Sequence, residues 1–171
     1  MTRIQEAIDF AVMAHGKQVR KYTGLPYVVH TQAVAGIVAS VTDDEDMIIA
    51  AHCHDCCEDC PVTIEDIRRN FGDRVAMLVE GLTDVSKPGD GNRATRKAID
   101  REHTKNAGPD VHTIKLADIL DNGQDISRND PDFAVVYMRE MEQLIPFLSD
   151  GNPILFKRAS EQLASFQLKS G

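Results

Sequence analysis

The chain has 171 residues and a formal net charge of −8 at pH 7. This length predicts one domain, residues 1–171, with room for a hydrophobic core. The acidic charge disfavours a nucleic-acid partner, because proteins that bind nucleic acids usually present a basic surface. No apolar run approaches the length that spans a membrane, and the N-terminus has no signal-peptide pattern. All four cysteines fall within residues 53–60, a poor arrangement for a disulfide framework, so we expect a reducing, cytoplasmic setting.

Apolar residues recur at helical spacing along most of the chain, and they are mainly aliphatic, which suits packed helices better than a sheet. Proline and glycine mark two connecting segments, at 15–26 and at 85–92, and the second reads as a long flexible loop. Pro26 is suited to open a helix, and Thr63 followed by Asp66 resembles a capping box. We predict an all-α fold, with helices over residues 4–14, 26–40, 44–60, 63–70, 74–82, 93–105, 110–126, 131–148 and 153–166.

The densest group of polar side chains lies at the end of the third helix, which we predict to run from a cap at Asp43 or Asp44 to Pro61. Its last turns read HCHDCCEDCP, at residues 52–61. At about 100° per residue, the four cysteines fall within an arc of about 100°. An imidazole and three carboxylates share the opposite face, over an arc of about 140°, and these are His54, Asp55, Glu58 and Asp59.

Carboxylates this close together repel one another unless a cation lies among them, so we interpret the polar face as a site for a divalent metal ion. His54 and Asp55 can each supply one ligand, but two ligands make a weak site. His30, in the second predicted helix, and Asp118, in the seventh, are the candidates to complete it. Each lies among apolar residues, where the alternative is a structural polar group with satisfied hydrogen bonds.

Four collinear segments carry a resemblance to a known family. They read AHGKQVRKYTGLPYVVHTQAVA at 14–35, AAHCHDCCEDCPVTIEDIRRNFGDRVAMLVEGLTDVS at 50–86, RKAIDREH at 96–103 and IKLADILDN at 114–122. Together they resemble the HD-domain hydrolases of the RelA/SpoT family, and in particular its small stand-alone members, the alarmone hydrolases of Mesh type. The match covers most of the chain and holds several motifs in order, so it is more specific than a bare His-Asp doublet.

The resemblance implies an HD-domain helical bundle that holds one divalent ion, usually manganese, between its helices. Carried over residue by residue, the metal ligands are His30, His54, Asp55 and Asp118. The family's HDxxED motif implies that Glu58 and Asp59 are the acid–base pair that handles the attacking water and its proton. On a helix these two carboxylates lie one turn beyond the His54-Asp55 doublet, close enough to act on that water without being ligands. The alternative is a solvated helix end.

Basic residues are predicted to form the substrate side, since cations beside a carboxylate-rich cleft suit a polyanionic ligand. In the family, the turn after Arg20 and Lys21 contacts the base and phosphates, and the residue matching Asn122 contacts the ribose. The predicted substrate contacts are Arg20, Lys21, Arg96, Lys97, Lys115 and Asn122, with Arg93 beside them. The alternative for each cation is an ordinary surface charge. Leu25, at a usually acidic position, and the segment 123–126, which lacks a usual basic residue, depart from the family and concern substrate identity.

The sequence therefore predicts a metal-dependent phosphohydrolase that releases pyrophosphate from the 3′ position of guanosine 3′,5′-bis(diphosphate), with Mn²⁺ as cofactor. We expect no synthetase activity, because 171 residues leave no room for the synthetase domain. The alternatives are an HD-superfamily hydrolase of another nucleotide or phosphoester, a non-catalytic nucleotide binder, and a zinc-binding helical module. Thiolates along one face of one helix cannot close around a single ion, which favours packing as the role of the cysteines. A homo-oligomer is compatible with the sequence.

Overall fold

The computed structural model describes residues 1–171, except for the side chain of Ser170. Over these residues the structure is helical, with no β-strand and a single antiparallel bridge between Val19 and Pro26, so the all-α prediction is confirmed. The chain divides into two compact units, Met1–Asp84 and Val85–Gly171. The assignment of residues 1–171 to one domain stays a prediction. No helix of the described chain combines the length and the apolar character needed to cross a bilayer.

The first unit is built around its third helix. Within residues 1–84 the helices are α1 (Arg3–His15), α2 (Val28–Ala39), α3 (Glu45–Cys53), α4 (Cys56–Asp59), α5 (Ile64–Phe71) and α6 (Asp73–Leu82). Helix α3 packs against α1, α2 and α6 and buries Ile49, Ala50 and Ala51 completely. This central position places His54, the first residue after α3, inside the unit, where water has little access.

Side-chain caps define where these helices begin. Asp44 accepts a hydrogen bond from the backbone N–H of Met47, so it is the cap of α3. Thr63 and Asp66 form the predicted capping box at the start of α5. The second helix begins later than predicted, at Val28, because Pro26 pairs with Val19 across the preceding loop and lies outside the helix.

The prediction of one continuous helix over residues 44–60 is wrong. Helix α3 ends at Cys53, His54 and Asp55 form a turn, and α4 then adds a single turn. Nδ1 of His54 lies 2.8 Å from the carbonyl oxygen of Ala51, the group that would accept the N–H of Asp55 in a continuous helix. His54 lies in the interior, where it is 2% exposed, whereas Glu58 and Asp59, which were predicted to share its helix face, are exposed.

The second unit is organised around a long helix. Its helices are α7 (Arg93–Lys105), α8 (Pro109–Asn129), α9 (Pro131–Leu144) and α10 (Pro153–Ser170), with 3₁₀ turns at Pro88–Asp90 and Ile145–Leu148. Helix α8 packs against α7, α9 and α10 and buries most of its apolar residues. The predicted helix over 131–148 is wrong at its end, because Pro146 has no N–H to continue the α-helical ladder and the chain tightens into a 3₁₀ turn.

The loop at 85–92 is anchored at its start rather than flexible throughout. Asp100, buried on α7, accepts the backbone N–H groups of Val85 and Ser86 at 2.9 and 2.8 Å. The hydroxyl of Ser86 donates to the second oxygen of Asp100 over 2.7 Å. One buried carboxylate therefore satisfies three donors and holds the beginning of the loop against α7.

Candidate active site

His30, His54 and Asp55 lie together at the predicted metal position. Among the residues that the structure describes, they are the group of three side chains whose ligand atoms all fall within 4.8 Å of one another. Nε2 of His54 lies 3.0 Å from Oδ2 of Asp55, and Nε2 of His30 lies 3.5 Å from the same oxygen. Both imidazoles are buried, while Asp55 is partly exposed. Three of the four predicted ligands thus form one cluster inside the first unit.

The helices around the cluster fix the orientation of the two imidazoles. His30 lies in the first turn of α2, and its ring packs edge-on against the ring of His54 with centroids 5.2 Å apart. Because the carbonyl oxygen of Ala51 can only accept, Nδ1 of His54 carries the proton. Its Nε2 then presents a lone pair toward Asp55. A metal-binding histidine usually has this arrangement, with one nitrogen donating to a carbonyl and the other facing the ion.

The chemistry and spacing of this donor set fit a divalent ion. Two imidazole nitrogens and a carboxylate oxygen suit first-row divalent metals. Ligand atoms at about 2.1 Å from an ion and at right angles to each other are about 3 Å apart. The separations of 3.0 and 3.5 Å from Asp55 to the two histidines are close to this value. The three side chains can therefore hold one ion with little rearrangement.

Tyr27 is a site residue that the sequence reasoning missed. Its hydroxyl donates a hydrogen bond to Oδ2 of Asp55 over 2.7 Å. Its ring packs edge-on against His30, with centroids 5.6 Å apart, and lies 4.7 Å from the ring of His15. The position three residues before His30 was the available signal, since residues at this spacing lie on the same face of a helix end. Tyr27 therefore restrains the carboxylate of Asp55.

Glu58 and Asp59 lie on the short helix α4, directly after the cluster. Both carboxylates are exposed. Oε1 of Glu58 accepts the backbone N–H of Asp84 over 2.6 Å, and Oδ2 of Asp59 accepts the side-chain amide of Gln18 over 3.1 Å. Two acidic groups that are reachable from solvent therefore follow the predicted ligands within four residues.

The four cysteines all lie in the first unit and form no disulfide. Cys53 and Cys56 are fully buried, whereas Cys57 and Cys60 are partly exposed. A hydrogen bond with Cys53, together with burial, raises the pKa of Cys56. Burial raises the pKa of Cys57 and of Cys60 to about 11. Since metal ions bind the thiolate, these shifts favour packing over a zinc site.

His52 is a buried histidine next to the cluster that the sequence reasoning did not assign. Burial, together with the smaller effect of the nearby His54, lowers its pKa to about 4. The ring is therefore neutral at pH 7 and adds no positive charge beside the cluster.

In the second unit, Asp118 is held by two of the predicted substrate residues. Nζ of Lys115 lies 2.8 Å from Oδ2 of Asp118, and the side-chain amide of Asn122 donates to Oδ1 over 2.7 Å. Asp118 is buried on α8, and the spacing of three and four residues places all three side chains on one face of the helix. The role of Asp118 as a fourth ligand, and those of Lys115 and Asn122 toward the substrate, stay predictions.

The other predicted substrate residues lie on two different elements. Arg20 and Lys21 belong to a tight loop between α1 and α2, closed by the Val19–Pro26 bridge and by a hydrogen bond from the N–H of Arg20 to the carbonyl of Leu25. Arg96 and Lys97 are partly buried on α7. Arg93, by contrast, pairs with Glu140 at 2.6 Å within the second unit. The substrate contacts themselves stay predictions.

Comparison with known proteins identifies the class. The family model described as the HD domain matches residues 7–144, which is most of the chain. The chain therefore belongs to the HD-domain family, in the group that contains the MESH1 hydrolases. Human MESH1, a guanosine-3′,5′-bis(diphosphate) 3′-pyrophosphohydrolase, is 34% identical over 134 residues, which are 76% of this chain and 73% of MESH1.

Larger relatives and solved structures agree with this assignment. A guanosine-3′,5′-bis(diphosphate) 3′-pyrophosphohydrolase of Aquifex aeolicus is 41% identical over 125 residues, or 70% of this chain, but this match spans only 17% of that protein. The other large relatives are likewise matched over 14% to 20% of their length. The structure reported for a metazoan SpoT orthologue that hydrolyses ppGpp is 28% identical, with a TM-score of 0.86 over 96% of both chains. A protein of Listeria monocytogenes is 26% identical, with a TM-score of 0.69 over 86% of this chain and 99% of that one.

Proposed function

We propose that the chain is a metal-dependent phosphohydrolase that releases pyrophosphate from the 3′ position of guanosine 3′,5′-bis(diphosphate). The observation that carries the proposal is the cluster of two buried imidazoles, His30 and His54, with the partly exposed Asp55. The exposed carboxylates of Glu58 and Asp59 follow it within one turn. MESH1 and the Aquifex aeolicus relative are named for this activity, which supports the choice of substrate.

His30, His54 and Asp55 would hold the metal ion, with Asp118 as the fourth ligand and Mn²⁺ as the ion. Such an ion supplies a Lewis acid that polarises a phosphoryl oxygen and makes water more acidic. The tautomer of His54, fixed by its bond to Ala51, and the hydrogen bond from Tyr27 keep two of the three ligands aligned before any ion arrives.

The proposed reaction needs a base for the attacking water and an acid for the departing 3′ oxygen. Water adds to the phosphorus attached to the 3′ oxygen, the phosphorus–oxygen bond breaks, and GDP and pyrophosphate are the products. The carboxylates of Glu58 and Asp59 are the groups that take the proton from water and return one to the 3′ oxygen. Both are exposed, and each accepts a hydrogen bond from a neutral N–H donor at one oxygen, which orients the carboxylate.

Basic side chains would bind the substrate. Its two diphosphate groups carry several negative charges, which suits guanidinium and ammonium donors. The residues proposed for this role are Arg20, Lys21, Arg96, Lys97, Lys115 and Asn122.

Four free thiols, three of them with a pKa above its usual value, are compatible with a reducing cytoplasmic compartment.

A product-resolved substrate screen tests the proposal. The purified protein is incubated with Mn²⁺ and guanosine 3′,5′-bis(diphosphate), its pentaphosphate relative, common nucleotides or NADPH. We expect GDP and pyrophosphate from the first substrate in the wild type, and no product in Asp55→Ala. Cleavage of another compound alone would instead favour an HD-superfamily hydrolase of a different nucleotide or phosphoester. Binding of guanosine 3′,5′-bis(diphosphate) without turnover would favour a non-catalytic nucleotide binder.

A further inference from the structure

Gln18 connects a buried histidine to one of the proposed catalytic carboxylates. Its side-chain nitrogen Nε2 donates to Oδ2 of Asp59 over 3.1 Å, across 41 residues of sequence. Its side-chain oxygen Oε1 lies 2.9 Å from Nδ1 of His15. Glutamine suits this position, because its side-chain amide can donate to a carboxylate and accept from an N–H at the same time.

The hydrogen bonds that link Cys56, His15, Gln18 and Asp59 all donate in the same direction, toward Asp59. Because a carboxylate accepts, the nitrogen of the Gln18 amide must face Asp59, and its oxygen must face His15. Nδ1 of His15 therefore carries the proton, and Nε2 is left to accept from the thiol of Cys56, at 3.8 Å. Cys56 is buried, and its thiol is the group that can donate to this nitrogen. Cys60 adds a second contact to Nδ1 of His15 at 3.3 Å.

The surrounding structure restrains His15 and Gln18. His15 is 5% exposed, ends α1, and packs against the ring of Tyr27. The backbone of Gln18 donates to the carbonyl of His15 over 2.9 Å and accepts from the N–H of Tyr27 over 2.9 Å. Asp59, by contrast, is exposed on a helix of only four residues. The restraint on the direction of its carboxylate therefore comes through Gln18.

We infer that Gln18 is a positioning residue for Asp59 and that His15 orients the Gln18 amide. This inference rests on the proposed function, because it assigns Gln18 a role through a catalytic carboxylate. A neutral amide suits this task, since it fixes the carboxylate without the full opposing charge that a lysine or arginine would bring. The sequence does not reveal this role of Gln18, because its partner, Asp59, lies 41 positions away.

Two substitutions at Gln18 separate positioning from a structural role. Gln18→Glu keeps an oxygen for His15 but places a second carboxylate oxygen against Asp59, whereas Gln18→Ala removes both contacts. Positioning predicts that kcat for pyrophosphate release falls by about 10- to 100-fold in both variants, with KM changed by less than about twofold. A role limited to supporting His15 predicts that Gln18→Glu keeps wild-type kcat, which would overturn the inference.

The control is Gln5→Ala. Gln5 also donates its side-chain amide to an aspartate, Asp9, over 2.9 Å, but on the exposed surface of α1. We expect wild-type kcat and KM in this variant. If Gln18→Ala behaves like Gln5→Ala while the wild type is active, the inference fails and the proposed function stands. A wild-type protein that releases no pyrophosphate from guanosine 3′,5′-bis(diphosphate) overturns the proposed function and the inference together.

A second readout does not depend on activity. Long-range ¹H–¹⁵N spectra report which nitrogen of a neutral imidazole carries the proton, and we expect Nδ1 for His15 in the wild-type protein at pH 9. Hydrogen bonds with Cys56 and Gln18 raise the pKa of His15 against the opposing effect of burial, so the measurement is made well above the usual value for histidine. A neutral ring protonated at Nε2 would mean that Gln18 does not face Asp59 as a donor, and would overturn the inference.

Discussion

The hydroxyl of Tyr27 and the nitrogen Nε2 of His54 approach the same oxygen of Asp55, at 2.7 and 3.0 Å. The hydroxyl donates to Asp55 and thereby fixes the plane of its carboxylate relative to the two imidazoles. Hydrogen bonds of this kind behind a metal ligand hold it in the orientation that the ion needs and influence its basicity. The tyrosine therefore belongs to the proposed metal centre even though it is not a ligand.

Replacing Tyr27 with phenylalanine tests this role. The variant keeps the ring that packs on His15 and His30 and removes only the hydroxyl. We expect the affinity for Mn²⁺, measured by isothermal titration calorimetry, to fall by about 10- to 100-fold. Tyr22→Phe, in the same loop, is the matched control and should bind Mn²⁺ as the wild type does. Equal affinity in Tyr27→Phe and the wild type would contradict the role.

Stability in acid should depend on Asp44. Bidentate hydrogen bonds from Arg74 hold the pKa of Asp44 below its usual value, and the N–H of Met47 adds to this effect. Since the folded-state pKa is lowered, the stabilisation is present above the unfolded pKa of about 3.9 and is lost as the pH falls through the folded value. Asn keeps the helix cap but not the charge, so we expect Asp44→Asn to lower the free energy of unfolding at pH 7 by up to about 1 kcal/mol.

Urea unfolding at pH 7 and at pH 2.5 measures this effect. The difference between wild type and Asp44→Asn should shrink on acidification, because protonation of Asp44 removes the charge that pairs with Arg74. Asp43→Asn, at the neighbouring exposed position, is the control. Asp44→Ala should cost about 1 kcal/mol more than Asp44→Asn at both pH values, because the cap is lost as well. A difference between wild type and Asp44→Asn that does not change with pH would show that the ion pair is not its source.

Two glycines should respond oppositely to alanine. A Cβ at Gly151 would lie 3.0 Å from the backbone nitrogen of Thr113 and 2.9 Å from a methyl group of Leu116, so Gly151→Ala should cost about 1 to 3 kcal/mol. A Cβ at Gly36, exposed in the middle of α2, meets nothing within 4 Å. Gly36→Ala should therefore add about 0.5 to 1 kcal/mol. Denaturant unfolding gives both values, and destabilisation by Gly36→Ala would contradict the packing of α2.

Hydrogen exchange can test whether Asp100 anchors the start of the loop at 85–92. Asp100→Asn replaces the carboxylate oxygen that accepts the N–H groups of Val85 and Ser86 with a neutral amide oxygen, whose hydrogen bonds to them are weaker. We expect the amides of Val85 and Ser86 to exchange about tenfold faster or more, while those in the interior of α8 stay unchanged. Asp150→Asn, at an exposed position in the same unit, is the control. Unchanged exchange at Val85 would show that the carboxylate does not anchor the loop.

Local signals in the sequence were sufficient for much of the helical framework. The caps at Asp44 and Thr63 and the prolines that begin α8, α9 and α10 act within a few residues, so they can be read from the sequence directly. The end of α9 was missed although its cause is also local. Pro146 interrupts the backbone ladder, but the apolar periodicity continues through it and predicted a longer helix.

The site was predictable in its residue types but not in its detailed geometry. The resemblance named His30, His54 and Asp55, and the structure brings them together across 25 residues of sequence. The turn at His54 was missed because it depends on a hydrogen bond from the His54 side chain to the backbone carbonyl of Ala51. The periodicity of apolar residues does not reveal such a bond. Tyr27 and Gln18 were missed because their partners, Asp55 and Asp59, are distant in sequence.

The central claim is that an ion held by His30, His54 and Asp55 drives the release of pyrophosphate. The most direct measurement is the rate of pyrophosphate release from guanosine 3′,5′-bis(diphosphate) as Mn²⁺ is titrated into metal-free wild type and metal-free Asp55→Ala. We predict that the wild type is inactive without the ion and saturates at one ion per chain, and that Asp55→Ala is at least about a thousandfold slower at every concentration. Equal rates in the two proteins, or full activity without metal, would contradict the claim.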